Sequence, residues 1–388
     1  MGRRVEVTAC ENRIRSKRQA VGLSQADLAK RCGLTRQAIS AIEAGHYIPN
    51  TTVALRLARA LGCSVEEVFR LPEELPHVEV EWLGAPPAAS SGRARVRLAR
   101  VGERLLARPL TGIMAAFTPA DGVTVAAISG SSTPRRTARR VAVELLVDAQ
   151  LLDHTVVVLG CDPALAVLGA ALTRRYPALR LVWEPQSSLA ALRMLMRGEA
   201  HAAGVHLWDP ASGECNLPSV QRECAGRPLL IVTLSEWQQG LLVARGNPKG
   251  ISGPADLARP DVTTVNRDPG SGSRTLLDAW LRAAGILPSQ VRGYAREVPT
   301  QFAGGEAVDS GTADVGPGIL AVARMLGLGF VPLQRERYDL VIPQEFLNAP
   351  AIQALLEVAV SSPFRGELEA LGGYDTARTG TVVAELAS

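Results

Sequence analysis

Thr263 to Leu277, TTVNRDPGSGSRTLL, reads in turn as an extended segment, a Gly/Ser loop flanked by two arginines, and a helix. Val262 and Val265 with Thr263 and Thr264 suit a strand, and Leu276, Leu277, Trp280 and Leu281 recur at helical spacing until Gly285 stops the run. A helix that starts near Ser273 aims its unbonded N–H groups and the positive end of its dipole into the loop. Gly270 and Gly272 allow close approach of the main chain, Ser271 and Ser273 supply hydroxyls, and Arg267 and Arg274 supply forked guanidinium donors. This is the layout of an anion site, although a capped helix after a surface turn fits the loop taken alone. The loop has neither the lysine of a G-x-x-x-x-G-K-[ST] phosphate loop nor the third glycine of a dinucleotide fingerprint.

Upstream of it, from Thr155, strands and helices alternate: TVVVLG, CDPALAVLGAALTRRY, LRLVWEP, SSLAALRMLMRGEA and HAAGVHLWD. That order implies a parallel sheet with helices on its faces, and ligands of such sheets bind at the carboxyl ends of the strands. Here those ends are Gly160-Cys161-Asp162 and Gln186-Ser187-Ser188. Asp162, before Pro163, reads as a helix cap, which leaves backbone N–H groups and the hydroxyls of Ser187 and Ser188 as anion contacts. Thr300 and Gln301 after Pro299, and the stretch Asp314 to Gly318, are further cleft candidates. His201, His206 and Asp209 raise the question of acid/base work, but the histidines are five apart and no nucleophile is paired with them. They read as structural histidines, and the chain as a binding protein rather than an enzyme.

The other end of the chain has a different texture. From Asn12 to Phe69, helix starts and stops recur at Gly22, Ser24, Gly33, Thr35, Gly45, Pro49, Asn50, Gly62 and Ser64, which predicts five short helices. Ser24 to Asp27 and Ser64 to Glu67 have capping-box spacing, and Thr35 is placed to cap a helix through Ala44. In that helix Ala38, Ile39 and Ile42 face inward, so Thr35, Arg36, Gln37 and Ser40 project. The stretches SKRQAVGLSQADLAKRCGLTRQAISAIEAG and ALRLARALGCSVEEVF closely resemble the helix-turn-helix domain of the phage-repressor and Cro (XRE) class. The resemblance implies that Gln25 starts the helix crossing the phosphate backbone, that Arg36, Gln37 and Ser40 face base edges in the major groove of double-stranded DNA, and that Arg18 and Glu43 form an internal ion pair. It also implies a homodimer, since one recognition helix reads too few bases.

Most of residues 155–388 resembles type II periplasmic binding proteins of the molybdate and tungstate group. LLVARGNPKGISGPADLARPDV is similar to a crossover strand and following helix, and RDPGSGSR to the Arg plus Ser-Gly-Thr loop of tungstate and phosphate receptors, with Ser273 where threonine is usual. The first anion loop departs from the family, with Cys161 and Asp162 where serine or threonine is usual. The whole chain resembles a bacterial family that joins a phage-repressor-like domain to such a receptor, through HLWDPASGECNLP, NRDPGSGSRTLLD, GTADVGPGI and ERYDLVIP.

Bulk properties agree with this plan. The 388 residues suffice for two or three cores, and 47% hydrophobic content is ordinary for a folded protein. Residues 1–75 hold twelve Arg and Lys against eight Asp and Glu, which accounts for the whole net charge of +4 and fits a nucleic-acid partner. The six cysteines form no C-x-x-C pair, so neither a disulfide framework nor a metal site is expected. No apolar run is long enough to span a membrane and no secretory signal is visible, which places the chain in the cytoplasm.

The middle is the least legible. GAPPAASSG reads as a linker, Arg95 to Leu110 as a hairpin, Val123 to Ile128 as a strand, and Pro134 to Leu152 as an amphipathic helix with Ala138, Val141, Leu145, Leu146 and Ala149 on one side. The expected organisation is therefore multidomain: an all-α helix-turn-helix domain over 1–75, a linker with a small β unit and a helix over 76–153, and an α/β two-lobed domain over 154–388 with its second lobe at about 243–335. The expected function is a transcription regulator controlled by a small oxyanion, molybdate or tungstate favoured, with no cofactor. The anion would meet Cys161, Asp162, Ser187, Ser188, Arg267, Ser271, Gly272, Ser273, Arg274 and Thr300. The alternative is an enzyme or cofactor-handling protein that binds a larger anion, molybdopterin-like or an organic phosphate, with an autoregulatory DNA-binding domain.

Overall fold

The computed structural model describes residues 11–70, 75–84, 92–112, 114–126 and 139–387. The chain divides into two compact units, Met1–Pro76 and His77–Ser388.

In the first unit five helices follow the punctuation of the sequence: α1 (Ile14–Ala20), α2 (Gln25–Cys32), α3 (Arg36–Glu43), α4 (Thr51–Leu61) and α5 (Val65–Val68). Both expected capping boxes form, with the side chains of Ser24 and Ser64 accepting from Asp27 N and Glu67 N and the two carboxylates returning to the cap N–H groups. Thr35 caps α3 and Asn50 caps α4 in the same way. Gly33 and Gly62 end α2 and α4 in the left-handed conformation that a side chain disfavours. A short antiparallel pair, β1 (Glu11–Asn12) with β2 (Phe69–Arg70), ties the ends of the unit together. Ile14, Leu28, Ile39, Ile42, Leu57 and Leu61 form its core.

The second unit begins with a barrel that the sequence did not reveal. Strands β3 (His77–Trp82), β4 (Arg95–Val101), β5 (Arg104–Pro109), β6 (Gly122–Thr124) and β7 (Arg139–Leu145) close in the order β3-β5-β4-β6-β7, with α6 (Met114–Phe117) between β5 and β6. The expected hairpin over 95–110 is β4 and β5. The amphipathic helix expected over Pro134 to Leu152 is corrected: residues 139–145 are a strand paired along β3, and among the described residues of that stretch only Gln150–Asp153 (α7) is helical. Val141, Val143 and Leu145 also alternate with period two, and pairing with the distant β3 decides between the two periods. Residues 134–138 and 127–128, which belong to that helix and to the expected strand, and most of the linker over 84–92, lie outside the described residues. The barrel shares a core with the sheet that follows, through Ala99, Val101 and Leu106. Arginines clamp it there: Arg104 donates to the carbonyls of Arg197 and Gly198, Arg108 pairs with Glu184, and Arg180 pairs with Asp121 and donates to Leu98 O.

The first lobe is built on β8 (Thr155–Leu159), β9 (Arg180–Glu184) and β10 (Ala202–Val205), all parallel, with α8 (Ala164–Arg175) and α9 (Ser188–Met196) as crossovers. A small hairpin, β11 (Trp208–Asp209) with β12 (Glu214–Cys215), and α10 (Leu217–Glu223) lead into β13 (Leu229–Val243). The second lobe carries β14 (Asn266–Arg267), α11 (Gly272–Ala283), β15 (Glu297–Val298), α12 (Gln301–Asp309), β16 (Val315–Ile319) and α13 (Leu320–Leu326), and β17 (Gly329–Pro343) returns. The strand expected over 262–265 shrinks to a bridge from Thr264 to Val315, and the true strand is Asn266–Arg267. The sheet is mixed rather than purely parallel, in the order β16-β13-β17-β10-β8-β9.

Strands β13 and β17, each 15 residues long, pair antiparallel from one lobe to the other. Register shifts at Thr233/Ser235 and Gln239/Gly240 bracket the crossing segment, and such bulges bend a strand and re-aim its side chains. The chain closes with α14 (Pro350–Val360), α15 (Ser362–Leu371), β18 (Tyr374–Asp375) and β19 (Val382–Leu386), the last two on the edge of β13.

Candidate functional site

Between the lobes, the crossing strands present Trp237, Gln239, Glu336 and Tyr338, all buried. The first lobe adds Gly160-Cys161-Asp162 at the end of β8, Ser188 at the start of α9 and His206 just past β10; the second adds Arg267, the first turn of α11, and Gln301 at the start of α12. These segments touch. Gln301 Nε2 lies 4.0 Å from Cys161 Sγ, Gln239 Nε2 donates to Ser273 Oγ at 2.9 Å, and a Cβ on Gly272 would overlap the carbonyl and ring of His206.

Arg267 is 1% exposed. Its Nε donates to Val298 O (3.1 Å), its Nη2 to Pro299 O (2.9 Å) and Asp268 Oδ1 (3.1 Å), while Nη1 has no protein partner. An unmade hydrogen bond on a buried cation is expensive, so such a group needs a counterpart. Other buried polar atoms of the same junction share this condition: His206 Nε2, Tyr338 Oη, Asp162 Oδ2, Glu336 Oε1, and the Oε1 atoms of Gln239 and Gln301.

Side chains here have shifted pKa values, and burial pushes the phenol of Tyr338 well up. Burial opposes the charged form of His206, but Cys161 and Glu336 beside the ring outweigh it and push its pKa up to about 10. Burial pushes the carboxyl of Asp162 up to about 6, against the bonds it accepts from Ala164 N and Tyr374 Oη.

The sequence-derived site residues separate into two groups. Arg267, Cys161, Asp162, Ser188 and Ser273 come together with the crossing strands. Arg274, expected as a second anion-binding arginine, is engaged by groups of its own lobe. Its Nε pairs with Asp278, its Nη1 with Glu297 and Arg267 O, and its guanidinium stacks 4.4 Å over the ring of Tyr294. Most hydroxyls are engaged internally. Ser271 caps α11 by accepting from Arg274 N, Thr300 caps α12 by accepting from Ala303 N, and Ser188 Oγ bonds both the N–H and the carbonyl of His206. Ser187 occupies the N-cap of α9 without a side-chain cap bond. Gly272 admits His206 against its Cα, and α11 begins there, one residue before the expected Ser273.

His206 is the residue that sequence reasoning set aside and the fold places at the centre. Gln239, Glu336 and Tyr338 were missed altogether. Their available signal was a polar and aromatic centre, Thr233 to Gln239, between apolar ends in one 15-residue strand.

In the first unit α3 leaves Thr35, Arg36, Gln37 and Ser40 exposed. Behind them Glu43 accepts from Arg18 Nε at 2.7 Å and from Gln25 Nε2 at 2.9 Å, and Arg18 Nη1 donates to Leu23 O at 2.7 Å. The expected Arg18–Glu43 pair is present, and it holds Gln25 against α3. A groove lined by Arg15, Gln19, Ser24, Arg36 and Ser40 lies over this network.

A helix-turn-helix family model matches residues 14–68, and a PBP superfamily domain model matches residues 169–360. An HTH-type transcriptional regulator of Methanothermobacter thermautotrophicus is 48% identical over 62 residues, 16% of this chain and 90% of that protein. The YvgK protein of Bacillus subtilis (strain 168) is 36% identical over 200 residues, 52% of this chain, and the chain spans only 64% of its length. Among solved structures, an ABC-type phosphate transport receptor from Vibrio cholerae aligns with 56% of this chain and 98% of its own, at 15% identity and a TM-score of 0.38. Among the described residues no helix is long and apolar enough to cross a membrane. The chain belongs to the helix-turn-helix family of transcriptional regulators, and it joins that DNA-binding domain to a periplasmic-binding-protein-like domain of two α/β lobes.

Proposed function

We propose that this regulator is controlled by a small oxyanion held between its two α/β lobes, with molybdate or tungstate the favoured anion, and that the chain acts as a homodimer without catalysing a reaction. The observation that carries the reading is Arg267, buried to 1% exposure with Nη1 unpartnered, on the strand that leads into α11. Gly272 and Ser273, at that helix start, have N–H groups with no intrahelical acceptor, which favours a negative ligand. The preference for molybdate or tungstate rests on the likeness of RDPGSGSR to the loop of such receptors. A ligand that prefers one arrangement of the lobes shifts DNA affinity by that preference and no more.

A second reading, a larger anion bearing N–H or O–H groups, is favoured by the unpartnered acceptors Asp162 Oδ2 and Glu336 Oε1, which a bare tetrahedral dianion does not satisfy. A thermal-shift panel of molybdate, tungstate, phosphate, sulfate and small organic phosphates separates the two, because a ligand selective for the native state raises the midpoint by mass action. A shift by no tetrahedral anion ends the first reading; a shift by organic phosphates alone supports the second.

A further inference from the structure

His206 is fixed on every side but one. Its N–H and carbonyl are both bonded by Ser188 Oγ, at 3.1 and 3.3 Å. Its ring stands edge-on to Trp237, with centroids 5.1 Å apart. Nδ1 lies 3.1 Å from Glu336 Oε2, which also accepts from Trp237 Nε1 at 3.4 Å. The hydrogen bond at one ring nitrogen sets what the other carries, and Glu336 accepts only if Nδ1 bears the proton. The second nitrogen, Nε2, is buried with no partner at full hydrogen-bonding distance, and Cys161 lies near the ring. The α11 turn meets the ring at Nδ1 and Cε1, against Gly272.

We infer that His206 is the first lobe's ligand donor, Nε2–H facing a doubly charged oxyanion that Arg267 Nη1 holds from the second lobe. This rests on the oxyanion reading above. Each lobe then contributes one buried, unpartnered nitrogen, and neither is satisfied until an anion bridges the two, which makes closure and capture one event. The groups around the imidazole keep it charged: Cys161 and Glu336 both favour the imidazolium over the opposing effect of burial. Glu336 acts as a positioning residue that sets the tautomer and orientation of the ring.

The test is isothermal titration of the full chain with tungstate, for the native sequence, H206Q and R267K, each with its ligand-free thermal midpoint recorded. Expected is at least a tenfold loss of affinity in H206Q at an unchanged ligand-free midpoint. Unaltered affinity in H206Q, with tungstate binding intact in the native chain, overturns the inference and leaves the oxyanion reading standing. Absence of heat with tungstate, molybdate and phosphate in the native chain ends that reading and the inference with it. Should H206Q fail to fold, the native chain labelled with 15N-histidine decides: one buried imidazole must shift its Nε2 resonance on saturation with tungstate, and a spectrum with every ring nitrogen unmoved overturns the assignment.

Discussion

The phenol of Tyr338, on the crossing strand β17, lies so close over Gly204 of β10 that a single added methyl at residue 204 would overlap Oη, Cζ and Cε1. The same hydroxyl leaves no room for a side chain at Gly160, before Cys161. One aromatic ring thereby sets the distance between the first-lobe strands and the segment that bends between the lobes. Gly204→Ala should lower stability by about 1–3 kcal/mol, the usual cost of overpacking a filled interior. In a Tyr338→Ala background the added cost of Gly204→Ala should nearly vanish, as a double-mutant cycle in urea would report. Additive effects would show that the two residues do not press on one another.

His201 and His206, five residues apart, respond to pH in opposite senses. His201 Nδ1 accepts from Val157 N at 3.0 Å and so must stay unprotonated, and burial with nearby Arg108 pushes its pKa down to about 4. The unfolded chain takes up this proton near pH 6.5 while the folded chain resists to about 4, so stability is present above 6.5 and lost as pH falls towards 4. The loss is on the order of 3 kcal/mol for the full interval. Asp162, raised to about 6, works against this, because the folded state gains a proton there before the unfolded one does. His201→Gln keeps an acceptor and cannot protonate, so its unfolding midpoint should fall less steeply between pH 6.5 and 4. An identical slope in the variant would remove His201 as the cause.

The legible parts of this chain are those whose physics is local. Ser24, Thr35, Asn50 and Ser64 announce their helices because a cap reaches only three residues along the backbone. Arg267 was found because its loop carries an anion-site layout within fifteen residues. The failures are non-local. Val141, Val143 and Leu145 fit two periodicities, and only pairing with Val80 and Val78 makes them a strand. Glu336 and His206 are 130 residues apart in sequence, and no spacing rule brings them to one hydrogen bond. Arg274 is the exception, since Asp278 four residues on was a readable partner that claims its guanidinium.

That claim separates the two arginines by experiment. Arg267→Ala with Ser271→Ala should abolish the anion-induced rise in thermal midpoint while leaving DNA binding without ligand intact. Ser271→Ala alone should cost about 1 kcal/mol as a lost helix cap. Arg274→Ala should keep the ligand response, because its partners are Asp278, Glu297 and Tyr294 rather than the junction between the lobes. A response lost in Arg274→Ala at an unchanged ligand-free midpoint would restore that residue to the site.

On the DNA side the structure divides exposed readers from a buried support. Arg36, Gln37 and Ser40 have free outer faces on α3, whereas Glu43 joins Arg18 of α1 and Gln25 of α2 to that helix, with side-chain exposures of 11% for Arg18 and 5% for Glu43. Gln37→Ala should therefore weaken binding to a selected duplex by about 1–3 kcal/mol and relax base preference at one position, with no change in the domain's melting. Glu43→Ala should act differently, since it leaves the buried Arg18 guanidinium without its carboxylate, at a cost of about 3 kcal/mol to so small a domain. Binding to every duplex should then fall together with helical content. Selection from a random duplex pool, followed by anisotropy titrations on matched and scrambled sequences, measures both. Unchanged base preference in Gln37→Ala would remove α3 from the reading face, and full helicity with uniform binding loss in Glu43→Ala would place Glu43 at the DNA rather than beneath it.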